Sequence, residues 1–139
     1  MTRRLAREMA MKALFARDVG AGRPRDALDH VSGEEGAGAE DSAAAAVLVD
    51  GVLGALPRID RLIAAYARDW SVPRLAAVDR NVLRVALFEL VCAPELPPDF
   101  VIDEAVEIAK VYGGEDSSGF VHGVLGQVGR DRAAGAPGP

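Results

Sequence analysis

Three arginines stand within the first turn of a helix that the sequence predicts, and phosphate binding is the chemistry that they suit. Arg3, Arg4 and Arg7 are three and four residues apart, so their side chains should form one patch at the helix start. Three cations near a helix N-terminus oppose the helix dipole, which slightly favours a functional reason for them. The alternative is that arginine is simply a soluble, helix-favouring residue.

A second candidate region is the segment GGEDSSGFVHGVL, residues 113–125. It places hydroxyl groups, an aromatic ring and a histidine at the predicted start of a helix, where backbone N–H groups can hold a phosphate. An exposed Phe120 could stack on a nucleic-acid base there. The alternative is an ordinary helix start with Phe120 buried in the core, and the residues by themselves favour that alternative.

Signatures of catalysis and of metal binding are missing from the sequence. The chain has no Walker loop, no dinucleotide-binding glycine fingerprint and no GxSxG nucleophile elbow. His30 and His122 have no CxxC or HxxxH partner, which argues against a metal site. Adjacent carboxylates such as Asp103 and Glu104 point about 100° apart on a helix, so they do not form an acid–base pair. We therefore predict no enzyme activity, no cofactor and no metal.

The composition predicts closely packed helices with a core of small aliphatic side chains. Of the 139 residues, 50% are hydrophobic but only 5% are aromatic, so Ala, Val, Leu and Ile must fill the core. A chain of this length can bury a real core without disulfides. The single cysteine, Cys92, cannot form an internal disulfide, and we predict a buried thiol in a reducing compartment.

Charge is unevenly distributed along the chain. The formal net charge of −5 argues against a general polyanion binder, but residues 1–25 carry seven basic and two acidic groups. A basic arm on an acidic body predicts a local nucleic-acid contact beside a separate protein-binding surface. Charges interrupt the N-terminal segment before a signal-peptide apolar region forms, and no run is long enough to span a membrane. We therefore expect a cytoplasmic protein without membrane contact.

Hydrophobic periodicity predicts an all-α bundle of about six helices, without a strand pattern or internal repeat. The predicted helices cover residues 3–18, 41–56, 57–69, 74–92 and 99–112, and a last one begins at 116 or 117. In that last helix, Gly119, Gly123 and Gly126 predict close packing against another helix. Residues 20–41 are Gly- and Glu-rich, so we predict a mobile loop with at most a short helical turn.

The predicted helix around VDRNVLRVALFEL, residues 78–90, is apolar on every side. This pattern is typical of a central core helix rather than a surface helix. Its charged residues Arg84 and Glu89 should therefore belong to paired structural ion bridges. Trp70 stands just before this helix and should close one end of the bundle.

Three segments carry a family resemblance. They are RRLAREMAMKALF at 3–15, VDRNVLRVALFEL at 78–90 and VIDEAVEIAKVYGGEDSSGFVHGVL at 101–125. Together with the predicted helix order and the chain length, they extend the likeness over nearly the whole chain. The second and third segments are not expected by chance in another helical domain. The chain therefore resembles the bacterial transcription antitermination factors of the NusB family.

The resemblance implies an all-α fold of two packed helical bundles and a non-enzymatic role. We accordingly expect one domain over residues 1–132, with subdomains of about 1–70 and 71–132, followed by a disordered tail at 133–139. The resemblance also implies binding to single-stranded boxA-type RNA together with the ribosomal protein NusE. That assembly helps RNA polymerase to pass terminators, notably in ribosomal RNA operons.

The resemblance assigns roles by position. The RNA-binding residues that it implies are Arg3, Arg4, Arg7, Asp116, Ser117, Phe120 and His122. Asp79 corresponds to an acidic position that faces NusE. The chain departs from the family at Leu5, where the arginine cluster often continues, and at His122, where asparagine is usual. Ser118 and Gly119 replace a more polar or basic pair, and all of these departures reduce the expected grip on RNA.

Two other classes of function stay open. A similar helical domain precedes RNA cytosine methyltransferases, and this chain, which ends at Pro139 without a catalytic domain, would then be a detached RNA-binding part. A helical protein-interaction adaptor without an RNA role is compatible with the acidic net charge. The oligomeric state is open as well, because an apolar first helix could pair with a second copy. Such a homodimer would cover the arginines and inhibit RNA binding.

Overall fold

The computed structural model describes residues 3–68 and 71–133, and within those ranges it is all-helical. In chain order the helices are α1 (Arg4–Asp18), α2 (Pro24–Glu35), α3 (Ala39–Gly54), α4 (Leu56–Tyr66), α5 (Ala77–Cys92), α6 (Pro98–Tyr112) and α7 (Ser117–Ala133), with a 3-10 helix at Val72–Arg74. The predicted all-α fold is confirmed. The predictions for Trp70 and for the tail from 134 onward lie outside the described residues, and the division into two subdomains stays a prediction.

Helix α5 is the centre of the fold. It packs against α1, α3, α4, α6 and α7, and all residues from Asn81 to Leu87 are buried. A helix enclosed on all sides needs apolar side chains around its whole circumference, which the sequence supplies. The prediction of a central core helix is therefore confirmed. None of the single helices in the described ranges is long and apolar enough to cross a membrane, although the pair α3 and α4, bent by 77°, passes on length and composition together.

Helix α2 corrects the predicted mobile loop over residues 20–41. Its start is favoured by Pro24, whose fixed φ suits the first helical turn, and it ends at Gly36 in a left-handed conformation with φ 62°. Leu28 is its buried anchor, at 3% exposure. Lys12 of α1 donates a hydrogen bond to Glu35 at 2.6 Å. Two end signals and one buried leucine thus suffice for a helix that packs against α1 and α3.

The buried charges of α5 are paired, as predicted. Arg84 donates two hydrogen bonds of 2.9 Å to Asp60 of α4 and one of 2.7 Å to Asp18 of α1. Asp18 also accepts hydrogen bonds from Arg80 at 2.7 Å and from Asn81 at 3.0 Å. Burial alone would raise the pKa of the Asp18 carboxyl, but these hydrogen bonds and the arginine charges outweigh burial and hold that pKa below its ordinary value. The network joins α1 and α4 to α5.

Cys92 is exposed, so the prediction of a buried thiol is wrong. It is the last residue of α5, whereas the continuous buried stretch of that helix ends at Leu87. Beyond that point Glu89 is the one residue of α5 that is buried, whereas Phe88, Leu90 and Val91 are half-buried and Cys92 is exposed. A helix that is apolar in sequence up to its end can therefore still leave its last residue in solvent.

A close approach between α3 and α5 depends on Gly51. An added Cβ at this position would lie 2.1 Å from Cζ of Phe88, so only glycine lets the phenyl ring lie against the backbone of α3. The glycines of α7 differ, since a Cβ at Gly119 or Gly123 would meet nothing within 4 Å and one at Gly126 would meet only a flexible arginine side chain at 3.4 Å. The predicted close packing at these α7 positions is wrong, because they lie on the open side of that helix.

Replacing Gly51 with alanine should destabilise the protein, because the new methyl group would overlap the ring of Phe88. We expect Gly51→Ala to lower the free energy of unfolding by about 1–3 kcal/mol, the usual cost of overpacking. Gly123→Ala is the matched control: it should raise the free energy of unfolding by about 0.5–1 kcal/mol through better helix propensity. Urea unfolding followed by circular dichroism measures both, and a neutral Gly51→Ala would contradict the packing argument.

Candidate functional site

The three predicted arginines do not form one unpaired cationic patch. Each guanidinium is bonded to carboxylates of a different helix: Arg3 to α3, Arg4 to α6 and Arg7 to α5. Their spacing on α1 does bring them to neighbouring positions, but acids on three surrounding helices reach the same positions. The predicted common patch is therefore corrected, and the RNA-binding role of each arginine stays a prediction.

Arg7 is held inside the bundle, at 6% exposure. Its Nε and Nη2 donate hydrogen bonds to the two carboxylate oxygens of Glu89, at 2.7 and 2.9 Å. Glu104 contributes a further ion pair at 3.7 Å, and the guanidinium carbon lies 5.1 Å from the ring centroid of Phe100. These contacts join α1 to α5 and α6. Arg7 thus has a structural position with little contact with solvent.

Arg4 is fixed in orientation but reaches the surface. Its Nε and Nη2 donate to the two oxygens of Glu104, at 3.1 and 2.6 Å. The side chain of Arg4 is 40% exposed, whereas that of Glu104 is 6% exposed. The hydrogen bonds that Arg4 donates to Glu104 raise the pKa of Arg4 above its ordinary value, against the opposing effect of burial. Among the described residues its Nη1 has no hydrogen-bond partner, so this nitrogen can donate to a bound phosphate.

Arg3 has the most exposed acid partner of the three arginines, because the side chain of Glu40 is 83% exposed. It precedes α1 with a left-handed backbone, φ 50°, which L-residues rarely adopt. Its Nη2 bonds Glu40 at 2.9 Å and its Nη1 bonds Asp41 at 3.1 Å. Hydrogen bonds to Glu40 and Asp41 raise the pKa of Arg3, so it stays charged at any ordinary pH. Both acids lie in the first turn of α3, which ties the start of α1 to the start of α3.

The second predicted region lies at the start of α7, and its residues have different surroundings. Ser117 is buried, at 5% exposure, and its Oγ accepts a hydrogen bond from the backbone N–H of Gly114 at 2.9 Å. This bond closes the turn between α6 and α7, so Ser117 has a structural role. Asp116 is exposed, and its backbone carbonyl accepts a hydrogen bond from the N–H of Phe120 at 3.1 Å.

Phe120 is half-buried, so each of the two interpretations of its sequence context is partly right. One part of the ring packs against the core, and another part lines an open cleft of about 660 Å³. Asp79, Asp116 and Ser117 line the same cleft. His122 is exposed but lines a different cleft, between α6 and α7. The structure therefore brings four of the predicted residues together and leaves His122 apart from them.

The cleft beside Phe120 is acidic and contains an unsatisfied oxygen. Asp79, Glu115 and Asp116 outnumber Arg74, the one basic residue of its lining. The Oδ1 atom of Asp79 is buried and has no hydrogen-bond partner among the residues that the structure describes. A buried carboxylate oxygen without a donor is costly. Because this oxygen has almost no exposed surface, a ligand in the cleft would reach it only if the residues around it moved. The sequence patterns gave no indication of Arg74 or of the acids that pair with the arginines.

The described residues offer charged and aromatic contact groups rather than a metal centre. In residues 3–68 and 71–133, no three His, Cys, Asp or Glu side chains are grouped so that they could hold a metal ion. What the surface does offer is two partly exposed arginines at the start of α1 and a half-buried ring beside acids at the start of α7. Arginines suit phosphate, the ring suits a base, and the acids suit a basic protein.

Comparison with known proteins gives a family match over almost the whole chain. The model of the NusB family matches residues 4–130. Transcription antitermination protein NusB of Heliobacterium modesticaldum is 42% identical over 131 residues, which are 94% of this chain and 64% of that relative, just under two thirds of its length. The protein of the same name from Pelotomaculum thermopropionicum is 41% identical over 128 residues, which are 92% of this chain and 89% of that relative.

Solved structures agree with that match. T. maritima NusB superposes with a TM-score of 0.84 at 36% identity, covering 94% of this chain and 92% of that one. A chain from a crystal structure of the antitermination factors NusB and NusE in complex with dsRNA gives a TM-score of 0.83 at 28% identity, covering 93% of this chain and 96% of that one. Both likenesses extend over the helices that carry the arginines and the acidic cleft.

Removal of Glu89 should destabilise the fold strongly, because the buried guanidinium of Arg7 would lose the carboxylate to which it donates two hydrogen bonds. We expect Glu89→Ala to lower the free energy of unfolding by about 3–5 kcal/mol, the usual cost of breaking a buried pair. Glu107→Ala is the control, since the exposed pair of Glu107 with Lys110 should contribute less than about 0.5 kcal/mol. Chemical denaturation measures both, and a loss under about 1 kcal/mol for Glu89→Ala would contradict the structural role of this pair.

Proposed function

The chain belongs to the NusB family, and from this we propose that it is a transcription antitermination factor. It binds single-stranded boxA-type RNA together with the ribosomal protein NusE, and it supports read-through by RNA polymerase in the antitermination complex, notably in ribosomal RNA operons. It acts in the cytoplasm and catalyses no reaction. The observation that carries the proposal is the family match over residues 4–130. The solved complex of a relative with NusE and dsRNA supports RNA and NusE as the partners.

The RNA contacts of this proposal are Arg3 and Arg4 for phosphates and Phe120 for a base. Arg4 supports it with a fixed guanidinium that keeps an unbonded Nη1 at the surface. Two full phosphate contacts would give a salt slope no steeper than about −1.4, at about −0.7 for each contact on a single strand. The chain alone should therefore bind RNA weakly. A partner that adds basic surface beside these contacts would raise the affinity by joining two binding events.

The NusE contact of this proposal is the acidic cleft around Asp79. Its lining carries the acids Asp79, Glu115 and Asp116, whose charge a basic partner protein can neutralise. Asp116 and Phe120 line the same cleft, so the proposed partner surface and the proposed base-stacking ring adjoin. This arrangement supports a joint surface, in which NusE neutralises the acids that would otherwise repel an RNA phosphate near Phe120.

Neutralising the two accessible arginines should weaken RNA binding in the presence of NusE. We expect the double variant Arg3→Gln/Arg4→Gln to lose about tenfold in affinity for labelled boxA RNA, with a flatter salt dependence, because two phosphate contacts are lost. Glutamine at position 4 can still donate a hydrogen bond to Glu104, but it removes the charge of that buried carboxylate's bidentate partner and leaves the contact with Arg7 at 3.7 Å. Circular dichroism and an unfolding curve must therefore show that the variant is folded before its affinity is compared. Fluorescence anisotropy across a salt series, with and without NusE, measures the effect.

The control for that experiment is Arg25→Gln, which removes an exposed arginine from α2. In the part of the chain that the structure describes, this arginine pairs only with Asp50. This variant should bind boxA RNA as the parent does. Equal affinity of the parent and of the Arg3/Arg4 variant, with NusE present, would show that the proposed RNA contacts are wrong. Absence of binding by the parent itself in the presence of NusE would refute the proposed function.

Asp79→Asn should weaken the binding of NusE without RNA, because the amide replaces the charge that a basic partner would neutralise. We expect about a tenfold loss in affinity by isothermal titration calorimetry. Asp103→Asn, an exposed acid on α6 outside this cleft, is the control and should bind NusE like the parent. A NusE affinity that both variants leave unchanged would place the partner surface elsewhere.

A further inference from the structure

We propose that Glu40 and Asp41 of α3 set the RNA affinity of this chain by competing with phosphate for Arg3. This inference rests on the proposed function, since it concerns one of the cations of the proposed RNA site. Arg3 already makes two charge-assisted hydrogen bonds, at 2.9 Å to Glu40 and 3.1 Å to Asp41. A phosphate oxygen needs the same donors. RNA can therefore gain Arg3 only when at least one carboxylate gives it up.

The exposure of Glu40 and Asp41 indicates that an RNA phosphate can replace them at Arg3. The side chain of Glu40 is 83% exposed, and those of Arg3 and Asp41 are each 30% exposed. Ion pairs at such a surface are weak and exchange readily with solvent and ions. Opening the contact moves no helix and breaks no core packing. The Arg3 pairing is thus a contact that an RNA phosphate can displace.

The other two arginines are held differently, which makes Arg3 the adjustable one. Glu104 is buried and bonds Arg4 through both oxygens, so Arg4 keeps its carboxylate and offers only its remaining nitrogen. Arg7 is buried with Glu89. Of the three arginines, only Arg3 has a competing acid, Glu40, whose side chain is largely exposed to solvent. The number of cations that the RNA meets is therefore decided at this one contact.

The position of the two acids lowers the cost of releasing Arg3. Glu40 and Asp41 stand in the first turn of α3, where the helix dipole favours negative charge. After Arg3 leaves, both carboxylates keep that favourable interaction and gain water. The contact of Arg3 with Glu40 and Asp41 therefore acts as a latch. It holds Arg3 in the absence of RNA, and its opening leaves no buried, unpaired charge.

Removing the latch acids should strengthen RNA binding. We expect E40Q/D41N to bind labelled boxA RNA with NusE about three- to tenfold more tightly at low salt, and with a salt slope steeper by about 0.7, because Arg3 then contributes a full phosphate contact. The matched control is D50N/E34Q, which removes the same charge from exposed acids. D50N also releases an arginine, because Asp50 of α3 pairs with Arg25 of α2. The control therefore tests position rather than net charge, and it should change the affinity less than about twofold.

The decisive comparison is the effect of E40Q/D41N on RNA affinity with and without Arg3. In an R3Q background, E40Q/D41N should give no gain, because no cation remains to be released. A gain that persists in R3Q, or a gain equal to that of D50N/E34Q, would overturn the latch and leave only general electrostatics. If R3Q leaves RNA binding unchanged while R4Q weakens it, the latch is wrong but the antitermination role stands. If the parent chain with NusE does not bind boxA RNA, both proposals fail.

Discussion

The burial of charge on α5 is the constraint on which the rest of the structure depends. Arg84 and Glu89 lie on a helix that other helices enclose, so each needs an opposite charge within hydrogen-bond distance. Helix α1 supplies both: Arg7 near its start bonds Glu89 near the end of α5, and Asp18 at its end bonds Arg84 nearer the start of α5. In one pair α1 supplies the cation, and in the other it supplies the anion. Both pairs can form together only if α1 and α5 run antiparallel, because a parallel arrangement would place like charges opposite each other. Charge therefore fixes the direction in which α1 packs, which apolar contacts alone do not specify.

The burial of charge on α5 limits the number of arginine side chains that are left for the proposed RNA contact. Arg7 is used to hold α1 against α5, and Arg4 is bonded through two nitrogens to a buried acid of α6. An N-terminal segment that is strongly basic in sequence thus becomes a surface with few available cations. Under the proposed function, the acidic surroundings of Phe120 follow from the same constraint: RNA recognition with so few cations would require a basic partner beside this chain.

The sequence predicts the elements whose stability comes from their own residues, and it misses those that depend on distant ones. Helix α5 and its paired charges were predictable because an apolar helix with two opposite charges has few alternatives. Helix α2 was missed because its only fully buried residue is Leu28, and the rest of its stability comes from its ends and from its contact with α1. Arg7 was misplaced because spacing along α1 shows which side chains are neighbours but not that Glu89, 82 residues away, lies opposite.

The two candidate regions lie towards opposite ends of α5, and this limits how RNA can bind. Arg7, one turn from Arg4, contacts Glu89, whereas Phe120 shares a cleft with Asp79. These two positions of α5, Asp79 and Glu89, are ten residues apart in sequence, which corresponds to about 15 Å along the helix axis at about 1.5 Å for each residue. An RNA that contacted both regions would have to run extended across the neighbouring helices rather than enter one pocket. Extended binding is the geometry of single strands, whose bases are available for stacking, and it leaves the Asp79 end of the surface for a protein that holds the strand in place.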